Sequence, residues 1–412
     1  MESTWVQTAK NTSSYPSLKG EVKADVAVIG SGLTGITLAY LLAKAGKSAV
    51  LITRKTAAES ASAYTTGFIT CETDTSLTSL AKMFGQEKAK TVWEAGQNAI
   101  DLIEETIRSE NIECEFVRCP SYTYAKNDGE WNSLRDEARL ARELGFEVHA
   151  REGSEMPFEN RGVMEIANQA KFHSLKYGYA LKKRAHELGA QIFDHTEAHS
   201  IEREGADLRI KTNGGSILAK DVAITTYYPF TEPRQLFAHT GEYTTYMIEY
   251  KYQGSLPEAI YQDMHNPYHY FRADTLKSRI IVGGEDHRVE IKMGPEKNFR
   301  ALQEYVRQTL TKISLREVRR WKGGIIEPLD GLPFIGSLKS DEHQYVATGF
   351  SGFGMTMSRV AAEAIADDII GKKNQYIDIF SPARVPNPYQ LAKKGVDYVA
   401  EFFGGAIKNA FK

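Results

Sequence analysis

The chain has 412 residues, more than one hydrophobic core usually serves, so two interleaved domains are expected. Hydrophobic residues at 42% and charged residues at 25% belong to an ordinary globular protein, and a formal charge of −2 without a like-charge block argues against a nucleic-acid partner. Cys71, Cys114 and Cys119 make neither a CxxC pair nor a Cys/His cluster of metal spacing, so no metal site is expected, the thiols are read as reduced, and the expected compartment is the cytoplasm.

Residues 1–22 form a polar, irregular arm without the apolar core of a signal peptide, and no apolar run reaches the ~18 residues of a membrane span. An apolar strand at 26–29 then runs into Gly30-Ser31-Gly32-Leu33-Thr34-Gly35, a helical segment at 36–45 and a second apolar strand at 49–52. This is the order that a dinucleotide site needs. Gly30 allows the tight turn, Gly32 lets a pyrophosphate reach the backbone, Gly35 lets helix and strand pack closely, and Leu33 and Thr34 open the helix whose N–H groups face the phosphate. The acidic residue expected about 20 residues further on, for the ribose hydroxyls, is replaced by Thr53, with Arg54 next to it. A threonine hydroxyl still bonds a ribose, an arginine suits a 2′-phosphate, and a solvated surface charge explains Arg54 equally well.

A Ser/Thr-rich loop at 60–70 follows, including Ser62, Thr65 and Thr66. Beyond it the pattern predicts helix over 78–111, strands over 113–126, a turn at Asp128-Gly129 and helices over 134–144 and 176–188. Strands are expected at 191–193, 208–210 and 221–225, with a hairpin through Asn213-Gly214-Gly215, and at 243–252 and 268–283. Helix is expected over 298–313, a strand over 344–348 and a helix over 355–370 that opens on the glycine-rich turn Gly349 to Thr356. Residues 391–412 are amphipathic and suit packing on their own domain, docking of a partner or a membrane surface.

Four stretches together resemble the D-amino-acid oxidase-like (DAO) family of FAD-dependent oxidoreductases, nearest its gamma-glutamylputrescine oxidoreductase and Rieske-fused subset. They are Ser14-Tyr15-Pro16 leading into Ala24-Asp25-Val26 and the glycine turn, Lys171-Phe172-His173-Ser174-Leu175-Lys176-Tyr177, Gly283-Gly284-Glu285-Asp286-His287, and Asp330-Gly331-Leu332-Pro333-Phe334-Ile335-Gly336 with Ala347 to Thr356. The chain departs from that family at Thr53, where Glu is usual, and at Ser358 and Ala362, where glycines are common; no Cys or His follows His343 to bind a Rieske cluster.

The resemblance implies an α/β fold: a discontinuous Rossmann-like FAD-binding domain with an inserted α+β substrate domain on a large mixed or antiparallel sheet. The expected boundaries are 1–80, 160–235 and 325–385 for the FAD domain, 81–159 and 236–324 for the substrate domain, and 386–412 for the tail. It brings the 60–70 loop, Ala198, Gly336 and Gly349 toward the cofactor, with Gly352, Phe353, Gly354, Met355 and Thr356 donating N–H groups to the flavin carbonyl edge. Tyr270 and Arg272 share one face of a strand, where an arginine fork suits a carboxylate and an aromatic wall suits a carbon chain. The acids of Glu285-Asp286 suit an ammonium, and His287 and His173 are candidate bases; a loop that caps a helix or pairs with Arg288 explains the run equally. A sheet arginine paired with a neighbouring acid, for Arg272, and an ordinary structural histidine, for His173, are the competing readings. The expected reaction is oxidation of the C–N bond of an amine or amino acid by hydride transfer to flavin N5, with dioxygen, a quinone or an electron-acceptor protein as oxidant. A nicotinamide-dependent oxidoreductase and a non-catalytic flavoprotein subunit are the alternatives.

Overall fold

In a computed structural model, residues 1–10, 13–153, 156–230, 240–290, 294–338 and 340–384 are described; the amphipathic stretch at 391–412 lies outside them. Two sheets organise these residues.

The first has eight strands, in the order Phe334–Leu338, Asp341–Thr348, Gly215–Ile224, Gly20–Ile29, Ala49–Ile52 and Gln191–Phe193, with the hairpin of Ala198–Glu204 and Asp207–Thr212 beside Gly215–Ile224. From Asp341–Thr348 to Gln191–Phe193 neighbouring strands run parallel. Such strands are covered on both faces, which is why 26–29 and 49–52 read as unbroken apolar runs. Val26, Val28 and Leu51 face the helices, including Leu33–Lys44 and Gly354–Ile369, while Ala27, Ile29, Val50 and Ile52 face Leu208 and Ile210 of the hairpin.

The second sheet has nine strands, in the order Ser314–Pro328, Thr240–Gln253, Arg279–Arg288, His269–Asp274, Ile260–Asp263, Val117–Ala125, Gly162–Lys171 and Phe68–Ile69, with Val148–Glu152 on Gly162–Lys171. Most of its pairings are antiparallel, and alternation assigns its two faces. Tyr246, Ile248, Tyr261, Phe271 and Val282 pack under the helix Pro295–Thr309, against Phe299, Leu302 and Val306. Met247, Ile281 and Trp321 on the other face join the core shared with the first sheet. The second sheet therefore turns one face toward the nucleotide unit.

Several local departures from the expectations have clear causes. The single helix expected over 78–111 is two, Leu77–Phe84 and Gln86–Ser109, because Gly85 adopts φ +88° between them. Asp128-Gly129 opens the helix Asp128–Glu143 instead of a turn, since the Asn127 side chain caps Glu130 N–H. The N-terminal arm contains a short helix, Thr4–Thr8, that buries Trp5 completely. No described helix is long and apolar enough to cross a membrane.

Candidate functional site

The strand Gly20–Ile29 ends at the first glycine turn, and the helix Leu33–Lys44 starts there with Gly32 at its N-cap and no side-chain cap. The turn is tight for a measurable reason: a Cβ on Gly35 would lie 1.9 Å from Gly30 O, and one on Gly30, at φ +116°, 2.9 Å from Thr225 O. The Ser62 hydroxyl accepts a hydrogen bond from Leu33 N–H at 3.1 Å, so the Ser/Thr-rich loop is fastened to this helix opening. Ser31 is 3% exposed and its hydroxyl has no hydrogen-bond partner. A buried hydroxyl left so is costly unless a ligand oxygen completes it. An uncapped helix start, a backbone clear of side chains and an orphaned hydroxyl fit a pyrophosphate.

The second glycine turn follows Asp341–Thr348 and opens the helix Gly354–Ile369, which also has no side-chain cap. Strands Gly20–Ile29 and Asp341–Thr348 flank Gly215–Ile224 and run parallel to it. Both helix openings therefore lie on the carboxyl edge of one sheet, about two strand spacings or ~10 Å apart. A single long cofactor lying along that edge meets both.

The donors at the second turn differ from expectation. Gly352 N–H donates to Asp74 Oδ2 at 2.6 Å and Phe353 N–H to Phe350 O at 3.1 Å, so neither is offered to a ligand. Gly354, Met355 and Thr356 stand at the helix start, with the Thr356 hydroxyl donating to Thr70 O at 2.9 Å. Gly349 adopts φ +75° against Pro328, and Gly336 adopts φ +123°, a conformation that accounts for its missing side chain.

Thr53 and Arg54 turn away from a 2′-phosphate. The Thr53 hydroxyl donates to Lys55 O at 2.6 Å, and Arg54 pairs with Glu197 at 3.3 Å, with both side chains largely in solvent. Ala198 begins the outer strand of the adjoining hairpin. Thr65 accepts from Gly67 N–H through its hydroxyl and from Trp5 Nε1 through its carbonyl, while Thr66 is buried and its carbonyl accepts from Arg272.

Arg272 requires a correction. It shares a face with Tyr270 as expected, but it is 1% exposed and its donors are committed. Nη1 donates to Thr66 O, Gly67 O and Phe172 O at 3.0–3.1 Å, and Nε and Nη2 donate to Asp274 Oδ1 at 3.1 and 2.8 Å. Burial opposes the charge on Asp274, yet Arg272, Arg279 and Lys171 outweigh it and hold its carboxyl well below the usual range. The Trp5 ring lies 5.3 Å from both Arg272 and Arg279. This arginine holds the loop at 65–67 in place and has no fork left for a carboxylate.

The histidines also lie elsewhere. His173 is fully buried; its Nδ1 accepts from Lys176 N–H at 3.3 Å as the N-cap of Ser174–Glu187, and its Nε2 meets the Thr8 hydroxyl at 2.9 Å. Burial pushes its pKa down to about 3, so it is a neutral structural cap. His287 stacks on Tyr246, 5.7 Å away at 15°, and Tyr246 in turn meets Phe299 under the helix Pro295–Thr309. Burial and Lys322 lower its pKa, but it lies on the face away from Tyr270. Glu285, at φ +58°, reaches back to His269 Nε2 at 3.0 Å, while His269 Nδ1 meets Asp263 at 3.0 Å and the ring stacks on Tyr305 at 3.9 Å. Burial disfavours the imidazolium, but the two carboxylates raise the pKa of His269 above its ordinary value. Glu285 is thus occupied by a histidine instead of an ammonium.

The face toward the second glycine turn joins Tyr270 and the Glu285-Asp286 run, both singled out from the sequence, to Tyr268, Asp74 and Glu327, which sequence reasoning passed over. Tyr270 packs over Gly283, where a Cβ would lie 2.3 Å from the ring, and its Oη meets the Thr245 hydroxyl at 2.7 Å. Tyr268 lies alongside with ring centroids 5.5 Å apart, and its Oη donates to Asp74 Oδ1 at 3.3 Å. Asp286 points to the same side; burial pushes its carboxyl up to about 8, the Thr245 hydroxyl eases this in part, and Asp74 and Glu327 add to it. Tyr268 was within reach of strand periodicity, being two residues from Tyr270 on the same strand face. Asp74 and Glu327 come from distant segments and carry no local signal.

The model of the DAO family, described as FAD dependent oxidoreductase, matches residues 25–368. A Bacillus subtilis (strain 168) protein, YhfW, provisionally named as a Rieske 2Fe-2S iron-sulfur protein, is 28% identical over 92% of this chain and 75% of its own length. The gamma-glutamylputrescine oxidoreductase of Escherichia coli (strain K12) is 21% identical over 90% of this chain and 89% of its own. Among solved structures, glycine oxidase from Geobacillus kaustophilus superposes with a TM-score of 0.77 at 18% identity, covering 89% of this chain and all of the other.

Proposed function

The chain belongs to the DAO family of FAD-dependent oxidoreductases, and from that premise we propose that it oxidises the C–N bond of an amine or amino acid. The observation that carries the reading is the pair of uncapped helix openings on one carboxyl edge, with the second sheet turned toward the nucleotide unit. When bound, FAD supplies a hydride acceptor for the carbon next to nitrogen.

The chain's own residues have four tasks. The Gly30–Gly35 opening and the Ser31 hydroxyl hold the pyrophosphate. The Ser62 contact to Leu33 and the Arg272 contacts to Thr66 and Gly67 fix the loop between them. The helix start at Gly354–Thr356 would hold the ring end of the cofactor, where its positive dipole end favours negative charge. Tyr268 and Tyr270 form a wall that excludes water and aligns the substrate carbon. The Arg54–Glu197 pair weighs against the nicotinamide alternative, because the cation it would need for a 2′-phosphate is already engaged.

The test is an absorbance spectrum of the purified protein followed by anaerobic addition of amines and amino acids. Flavin bands that bleach with at least one of them are the expected result, and hydrogen peroxide on re-admission of air would identify dioxygen as the acceptor. A flavin that no amine or amino acid reduces refutes the reading.

A further inference from the structure

We propose that the substrate is a cationic amine without a neighbouring carboxylate, anchored through its ammonium to Asp286 in the field of Asp74 and Glu327. The inference rests on the amine-oxidation reading and narrows it.

Three observations meet at this place. The arginine suited by sequence to clamp a carboxylate is sealed into the core. The buried acids nearby are satisfied: Glu72 accepts from Ser121 at 2.7 Å, Gln262 at 3.1 Å and Thr123 at 3.4 Å, and Asp263 holds His269. Asp286 differs, since its carboxylate oxygens are out of solvent and neither makes a hydrogen bond of ordinary geometry; the Thr245 hydroxyl lies near but is bonded to Tyr270 Oη. A carboxylate buried in this way requires a cation or a proton. In the folded protein a proton serves, which is why its carboxyl is pushed up to about 8 by burial, with Asp74 and Glu327 adding to the effect.

The surroundings suit an ammonium and repel an anion. Tyr268 and Tyr270, their rings 5.5 Å apart, lie within electrostatic reach of Asp286, and aromatic rings favour a cation. Asp74 binds Tyr268 Oη and Gly352 N–H together, so the acidic face adjoins the second helix opening. An α-carboxylate here would meet Asp74, Asp286 and Glu327 at once, a like-charge penalty that selects against amino acids.

The chemistry balances. Binding of R–CH2–NH3⁺ displaces the Asp286 proton to solvent and puts the ammonium in its place; the ammonium then passes one proton to the carboxylate so formed and regains its nitrogen lone pair. The α-carbon then gives up a hydride, with both electrons, to oxidised FAD, and the C–N bond becomes C=N. Water adds to that carbon, and ammonium leaves as the aldehyde forms. An acid of pKa near neutrality is suited to take the first proton.

The experiment uses the FAD-loaded protein and two matched pairs. n-Butylamine and norvaline differ only in the α-carboxylate, and anaerobic bleaching gives their rates. Butyltrimethylammonium, which has no lone pair to support hydride loss, and butyrate report binding alone by calorimetry. Butylamine is expected to reduce the flavin at least about tenfold more efficiently than norvaline. Butyltrimethylammonium is expected to bind, butyrate not, and Asp286→Asn to weaken that binding about 10- to 100-fold. Glu327→Gln, which acts on the anchor through its charge alone, should weaken it by a smaller factor. Norvaline reducing the flavin as fast as butylamine, or Asp286→Asn leaving cation affinity intact, overturns the inference while leaving amine oxidation standing. A flavin that nothing reduces removes both.

Discussion

Arg272 is the residue whose sequence reading and structural position differ most, and replacing it separates the two. In Arg272→Met the methionine fills much of the space, but Asp274 loses one of three cations and two of the carbonyl contacts have no substitute. Gly67 O keeps Phe172 N–H at 3.1 Å, so its loss is partial. Removing one partner of a buried ion pair costs ~3–5 kcal/mol, and Arg279 with Lys171 still balances Asp274, so about 4 kcal/mol is expected. Unfolding entropy of ~2.1 cal/mol/K per residue over the 412 residues gives about 0.9 kcal/mol/K, hence a fall in Tm of about 5 °C. Because the guanidinium tethers Thr66 and Gly67, flavin should also dissociate more readily on dilution, read as loss of absorbance after gel filtration. For molecules that retain flavin, KM for an amine should stay within twofold or so of the parent. A variant of unchanged Tm and unchanged flavin retention, with a KM raised only for carboxylate-bearing substrates, would show that the guanidinium faces the substrate, and the structural assignment would be wrong.

Four further outcomes follow from the geometry. Asp286 holds a proton in the folded state that the unfolded chain releases above about pH 4, so wild-type stability should decline between about pH 4 and 8, by at most ~1.4 kcal/mol per pH unit; Asp286→Asn should lack that slope, and parallel Tm–pH curves would refute the buried-acid assignment. His173 stays neutral when folded while the unfolded histidine protonates below about 6.5, so its contribution is lost as pH falls toward 3; His173→Asn keeps an N-cap, should cost about 1 kcal/mol at pH 7, and should flatten acid unfolding without moving the kcat–pH profile. Gly35→Ala drives a Cβ to 1.9 Å from Gly30 O and should cost ~1–3 kcal/mol or more in a urea melt, with flavin content per chain falling in parallel. Arg54→Ala removes one solvent-exposed pair and should change stability by less than ~0.5 kcal/mol and flavin content not at all; a large loss of flavin would return Arg54 to the cofactor site.

The first nucleotide-binding turn was legible because its signal is local. Strand, glycines and helix are contiguous, and each glycine has a steric reason visible within a few residues or one strand away. The parallel strands were legible for a similar reason, since burial on both faces leaves unbroken apolar runs. The second sheet was harder to read. Its longest strand, Ser314–Pro328, spaces Leu315, Val318 and Trp321 three apart among charged residues, with a glycine pair, Gly323 and Gly324, following, and so lacks the period of two that marks a strand. At the site, periodicity put Tyr270 and Arg272 on one face, but it carries no information about depth. Arg272 lies at the buried end because Trp5, some 267 positions away in the chain, fills the space beside it.

The run Glu285-Asp286-His287 shows how backbone geometry divides chemistry that looks contiguous in sequence. A regular strand would send Glu285 and His287 to one side and Asp286 to the other. That parity is what the structure shows, with Glu285 and His287 directed toward the helix Pro295–Thr309 and Asp286 toward the glycine turn. The pairing register slips between Thr244 and Tyr246, opposite this run, and Glu285 takes φ +58°, unusual for a side chain with a Cβ. His269 holds Glu285 by Nε2 and Asp263 by Nδ1, so a buried histidine secures the residue of this run that has positive φ. The strained residue precedes Asp286 directly, and the direction of the Asp286 carboxylate therefore depends on contacts made on the opposite face of the sheet. Neutralising that grip, by His269→Leu, should disturb cation binding at Asp286 without any change to a residue that lines the site. Unchanged affinity for butyltrimethylammonium in a folded His269→Leu protein would mean that the strand alone, and not the Asp263–His269–Glu285 set, directs the carboxylate.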